Sequence, residues 1–203
     1  KTHITMLQVE NISTGYGNTK WGMDRNAVIS ADGLVPDKNE VENVVAKNMP
    51  PDDVISKLVV FPDVKYKGSY MFFNNKLAKI NVILEYEFET ETRGELESAT
   101  TNKLDEASYN QIVKSFNEKF GEKAIVDKDG ERAESEYGNS MSKYTTWQLP
   151  DGNRIKVYFH SYLSVRDYKS SYSDIYSASL TSGINISFEN YKFSQEILVP
   201  RDW

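Results

Sequence analysis

The chain has 203 residues, with 24 Lys and Arg against 30 Asp and Glu, two His and no Cys. That length buries the core of one domain or two small ones, and 39% apolar with 12% aromatic residues is too much for a disordered chain. The missing thiols exclude a disulfide scaffold, a thiolate zinc site and a cysteine nucleophile. A formal charge of −6 argues against a nucleic-acid binder, and no apolar stretch approaches the roughly 20 residues of a membrane helix.

The charge is local. Eight acids lie between Glu85 and Glu106, with only Arg93 and Lys103 to oppose them, so this segment carries −6 and the remainder is neutral. No basic stripe is left to hold phosphates or an anionic membrane.

Taken in chain order, Ile4 to Val9 alternates and predicts a strand, followed by a polar Gly/Asn loop from Ser13 to Lys20. Asp24 is placed to cap a short helix that turns Ala27 and Val28 to the core. Asp32-Gly33 and Pro36 stop it. Asp37 to Lys47 reads as a second helix, with Val41, Val44 and Val45 on one side, ended by Pro50-Pro51. Val54 to Phe61 is apolar, and its later half reads as strand.

From Tyr66 the period becomes two. Tyr70 to Phe73 predicts a strand and Asn74-Asn75 a tight turn tolerant of positive φ. Lys76 to Glu89 is the strongest strand: Ile80, Val82, Leu84, Tyr86 and Phe88 face one side, and Asn81, Glu85, Glu87 and Glu89 the other, interrupted by Ile83. Residues 90–104 read as a loop. Asp105 to Phe120 is the best helix, with Tyr109, Ile112, Val113, Phe116 and Phe120 in one stripe, acids in its first turn and Gly121 as its stop.

Ala124 to Val126 then leads into Asp127-Lys128-Asp129-Gly130, read as a turn. Tyr144 to Leu149 and Arg154 to Tyr162 form a hairpin around Asp151-Gly152-Asn153. The stretch 162–183 reads as a Ser/Tyr-rich loop, and Ile184, Ile186 and Phe188 mark a last strand.

Each half thus reads helix, hairpin, long amphipathic strand. Met71 to Leu77 corresponds loosely in pattern to Trp147 to Ile155. The expected fold is α+β: an antiparallel sheet with helices packed on one face, in two related halves (1–98 and 99–203) that can form one continuous domain.

Trp21-Gly22-Met23, Val28 and Gly33-x-x-Pro36 resemble the opening of small bacterial envelope lipoprotein domains. Phe72-Phe73-Asn74-Asn75-Lys76-Leu77 is similar to the hairpin that follows it there, and Phe116 to Gly121 resembles the helix end of their two-repeat versions. These domains belong to the group with the β-lactamase-inhibitor-protein-like and outer-membrane-assembly-lipoprotein-like helix-on-sheet fold. The second repeat departs from the pattern: it lacks a Trp-Gly-Met opening, and Glu122 follows Gly121 with no Pro nearby. The resemblance implies an extracytoplasmic place, in the envelope or secreted, with a lipid anchor upstream of Lys1 where there is one. It implies binding of other proteins and supplies no catalytic residues.

His3 is near the terminus and His160 lies on the wet side of its strand. His160, Ser161 and Asp167 are close in sequence, but neighbouring strand residues point to opposite faces, which spoils a triad. Glu85, Glu87, Glu89 and Glu91 form a ladder about 7 Å apart on one face. A straight ladder splays its carboxylates, whereas calcium wants six to eight converging oxygens. Glycosidase carboxylates flank a cleft. Asp127-x-Asp129-Gly130-Glu131 holds half of a calcium loop and reads as a plain turn. No metal or cofactor is expected.

Tyr158, Tyr162, Tyr168, Tyr172, Tyr176 and Tyr191 crowd the last quarter together with many serines, and Tyr158 stands beside His160 on the wet face, the composition of an adaptable binding surface. The expected function is therefore non-catalytic: a binding domain that holds a protein or a glycan through an uncovered sheet face and the 162–183 loop. A hydrolase using the Glu85–Glu91 ladder and a structural subunit pairing through a sheet edge are the alternatives.

Overall fold

The computed structural model describes residues 12–32, 54–61, 64–99, 106–135, 138–169 and 174–194. The expected strand at Ile4–Val9 and helix at Asp37–Lys47 lie outside them. Among the described residues seven strands form one antiparallel sheet: β1 (Val54–Phe61), β2 (Val64–Phe73), β3 (Lys76–Thr90), β4 (Ile125–Ser135), β5 (Gly138–Gln148), β6 (Asn153–Lys169) and β7 (Asp174–Asn190). Their spatial order is β1-β2-β3-β7-β6-β5-β4, so two meanders meet where β3 pairs with β7. Four α-helices accompany the sheet among the described residues: α1 (Arg25–Asp32), α2 (Arg93–Ala99), α3 (Glu106–Phe120) and α4 (Tyr191–Ser194). The fold is α+β, as expected.

The period-two pattern decides which face is packed. Ile80, Val82, Leu84 and Tyr86 of β3 are buried beside Leu180, Ile184, Ile186 and Phe188 of β7 and Ile155, Val157 and Phe159 of β6. Onto this face α3 lays Tyr109, Ile112, Val113 and Phe116, at the spacing of a helical stripe. Phe116 meets Trp147 edge to face at 5.6 Å, and the Trp147 indole N–H donates to Asn117 Oδ1 at 3.0 Å. Val28 of α1 joins the same core, and the Ala27 N–H donates to Asp24 Oδ1 at 2.9 Å, the expected cap. α2 and α4 follow the C-terminal ends of β3 and β7 and so close opposite ends of the layer.

The loop before α1 is fastened to the sheet by buried amides. Asn190 Nδ2 donates to Asn153 Oδ1 at 2.7 Å, and Asn153 Nδ2 donates to the carbonyls of Ile12 and Ser13 at 3.3 and 3.2 Å. Asn74 and Asn75 adopt φ of 47° and 58°, the left-handed pair that a two-residue hairpin requires.

Several sequence expectations need correction. All of Val54–Phe61 is strand, and not its later half alone. Asp127 to Gly130 is no turn but lies inside β4, opposite Thr146 to Lys143. A bulge between Ile125 and Asp127 resets the register there, and at Gly130 a Cβ would stand 3.0 Å from Lys143 Cγ, so glycine serves close approach between strands. The loop expected over 90–104 contains α2. Thr92 and Glu95 stand in the capping-box spacing, and hydrogen bonds from the Thr90 and Thr92 hydroxyls hold the Glu95 carboxyl below its usual range. The 162–183 stretch is not a loop: β6 runs to Lys169 and β7 begins at Asp174, making a long two-stranded ribbon.

Candidate binding surface

Alternation along each strand turns half of its side chains away from the helices. Register then sorts them into rows that cross the sheet. One row runs Ile83, Asn185, Tyr158, Tyr144, Asp129; the next runs Glu85, Gly183, His160, Ser142, Glu131; a third runs Glu87, Thr181, Tyr162, Ser140, Ala133. α3 packs against the opposite face.

β6 supplies the aromatic column. Tyr158 and His160 stack with centroids 5.8 Å apart, and Tyr162 is 52% exposed. The His160 imidazole lies over Gly183 of the neighbouring strand, where a Cβ would come within 2.5 Å of its Cε1. His160 Nδ1 and Asn185 Oδ1 are buried here without hydrogen-bond partners. On the β5 side, Lys156 Nζ stands 4.4 Å from the Tyr144 ring centroid, and the Tyr144 hydroxyl donates to Asp127 Oδ1 at 3.2 Å. Burial first, then the Asp127 carboxylate, pushes the Tyr144 phenol above its ordinary range.

The sequence-predicted residues divide. Tyr158, His160 and Tyr162 are brought together. Tyr168 is 62% exposed on the same face, at the far end of the ribbon opposite Ile175. Tyr172 lies outside the described residues. Tyr176 turns to the helix side, where the Arg93 guanidinium sits 4.9 Å from its ring centroid. Arg93 also donates to both Asp167 oxygens at 3.2 and 2.5 Å, and this holds the Asp167 carboxyl below its usual range. Tyr176 therefore belongs to the joint between α2 and the ribbon.

Asn185 and Gly183 escaped sequence reasoning because only cross-strand register brings them beside Tyr158 and His160. Tyr144 and Asp127 had a weak signal in the hairpin pattern, which fixes Tyr144 opposite Tyr158.

The expected four-glutamate ladder is cut to three, because β3 ends at Thr90 and leaves Glu91 beyond the strand. Glu85, Glu87 and Glu89 follow alternate positions of β3 beside Gly183, Thr181 and Ser179, and among the described residues no three His, Asp or Glu side chains gather as a metal would need. On the helix side, a cleft of about 570 Å³ opens between α3 and strands β4 and β5. There Glu106 bonds Lys143 and lies 3.9 Å from Arg132, and the Tyr109 hydroxyl meets Thr145 Oγ1 at 2.7 Å. These contacts fasten the helix start to the sheet.

No protein-family model matches the chain, and neither a curated protein nor a solved structure matches it with significance. Among the described residues no helix is long and apolar enough to cross a membrane.

Proposed function

We propose that this chain is a non-catalytic binding domain that engages a protein or a glycan through the sheet face opposite the helices. The observation that carries the reading is the column Tyr158, His160, Tyr162 on β6, presented in register with polar side chains of β5 and β7. Amphipathic rings supply contact area at low entropy cost, and the flanking Ser, Thr and Asn groups supply adaptable hydrogen bonds. Tyr168 and Ile175, both exposed at the ribbon end, extend the same surface.

The reading includes an origin in two related halves and a place in the envelope or outside the cell, as the resemblance implies. Hairpins β2–β3 and β5–β6 each bury an aromatic and an aliphatic residue at matching places, Phe72 with Leu77 and Trp147 with Ile155, in support of related halves. The straight carboxylate ladder favours surface recognition over hydrolysis, since a catalytic pair works across an enclosed bond.

The test is site-specific photocrosslinking in cells that express the chain. A photoreactive residue at position 162 or 168 should yield discrete adducts, and one at exposed Glu118 on α3 should not. Equal labelling from both faces would overturn the reading.

A further inference from the structure

On the open sheet face, β5 carries small side chains between two strands that carry larger ones. Ser140 and Ser142 stand between Tyr162 and His160 of β6 on one side and Ala133 and Glu131 of β4 on the other. A groove of about 520 Å³ results, with Tyr158 completing its aromatic wall. The next side chain of β5 on this face is Tyr144, a ring already engaged by Lys156 and Asp127, and there the low floor ends. Among the described residues, the Ser140 and Ser142 hydroxyls, the Tyr158 and Tyr162 phenols and the Glu131 carboxylate make no hydrogen bond or ion pair. Their hydrogen-bonding capacity is therefore unused by the fold.

From this juxtaposition we infer that the groove holds a neutral oligosaccharide, with sugar hydroxyls on the serines and Glu131 and the C–H faces of the sugar rings on the tyrosines. Three arguments lead there. Sugar hydroxyls donate and accept at once. Ser and Tyr hydroxyls do the same, while a carboxylate accepts from two neighbouring hydroxyls in charge-assisted bonds. The same ligand presents apolar ring faces, which suit an amphipathic aromatic wall, and Tyr162 is 52% exposed. The lining also disfavours the rivals. Arg132 contributes to it, but its guanidinium turns to Glu106 and the Met141 sulfur on the helix side, so an anionic chain meets the Glu131 carboxylate and no free cation. No Leu, Ile, Val, Phe or Trp lines the groove, so it lacks the apolar centre that a protein partner buries.

The inference rests on the binding-surface reading and chooses the glycan over the protein. The probes are the neutral hexasaccharides of maltose, cellulose and chitin type, compared by isothermal titration calorimetry with an acidic galacturonate hexasaccharide. At least one neutral probe should bind saturably and the acidic one should not. For that probe, Tyr162→Ala should weaken binding about tenfold. Glu131→Gln should weaken it severalfold, because charge-assisted bonds become neutral ones. Ser142→Tyr fills the floor with a residue that suits a strand and should abolish binding, and Glu118→Gln on the helix side should leave it unchanged. Thermal melts establish that each variant is folded. Binding of no neutral probe, equal binding of the acidic one, or full binding in Ser142→Tyr overturns the inference. If no sugar binds but position 162 crosslinks to protein in cells, the glycan inference falls and the surface reading stands. If no sugar binds and position 162 yields no adduct, the surface reading falls with it.

Discussion

Leu77 is held on both sides of its peptide by the loop that precedes α1: its carbonyl accepts from the Gly22 N–H at 2.9 Å, and its N–H donates to the Met23 carbonyl at 2.8 Å. Two short segments that stand more than fifty residues apart, Trp21-Gly22-Met23 and Asn74 to Leu77, are thereby one structural unit. Gly22 makes it possible. Its φ is +82°, and a Cβ there would lie 2.7 Å from the Phe193 ring.

Gly22→Ala should therefore cost about 2–3 kcal/mol in urea unfolding, from backbone strain and the clash together. Gly121→Ala is the matched comparison, with φ +84° and open space around it. It should cost only the strain, about 1 kcal/mol. Equal losses would show that Phe193 yields freely.

The buried pair Tyr109 and Thr145 makes a second case. Burial is the main force that raises the Tyr109 phenol above its ordinary range, and the Thr145 hydroxyl opposes it. Tyr109→Phe should destabilise by about 1–3 kcal/mol, because Thr145 is left without its partner in the core. Adding Thr145→Val should recover part of the loss, and a double-mutant cycle measures the coupling.

Arg93 and Asp167 tie α2 to the β6–β7 ribbon. The folded Asp167 carboxyl titrates below its unfolded value, so its stabilising contribution is present above about pH 3.9 and is lost as pH falls through the lower, folded value. Arg93→Ala should remove that acid dependence and speed amide exchange at the ribbon end, with little change in the global midpoint, since the pair is exposed.

Tyr144 should ionise above the ordinary tyrosine range in an ultraviolet titration. Asp127→Asn should bring it part of the way back, because burial is the larger cause and the carboxylate a smaller one. The raised phenol means that stability falls as pH rises above about 10. A shift to the ordinary value on Asp127→Asn would reverse the ranking of causes.

Much of this architecture is written in local periodicity. Ile80 to Phe88 alternates because one face of β3 is packed, and Tyr109 to Phe116 repeats at helical spacing because one side of α3 is. The capping carboxylate of Asp24 and the Asn74-Asn75 turn are equally local signals. What local pattern misrepresents is sequence whose structure comes from its neighbours. Asp127 to Gly130 has the composition of a turn, yet pairing with β5 draws it into an edge strand whose charges suit water. Residues 163–169 and 174–183 are rich in Ser and Tyr, with little alternation, and are strands because each pairs with the other. The surface was legible where one strand carries it, at Tyr158, His160 and Tyr162. It was illegible at Gly183 and Asn185, and at Tyr176, whose parity places it on the far side.

The pairing of β3 with β7 has a consequence for synthesis on the ribosome. β3 ends at Thr90, and its partner is complete only at Asn190, one hundred residues later. At usual translation rates the interval is about 5–20 s. Throughout it, the longest strand of the first meander has one side of its backbone unsatisfied, a template for any passing strand. Residues made in the meantime, α3 and the meander from β4 to β6, cannot fill that place. The danger ends only when β7 slides in between, which makes the emergence of β7 from the ribosome the moment at which this sheet is either completed or exposed to aggregation.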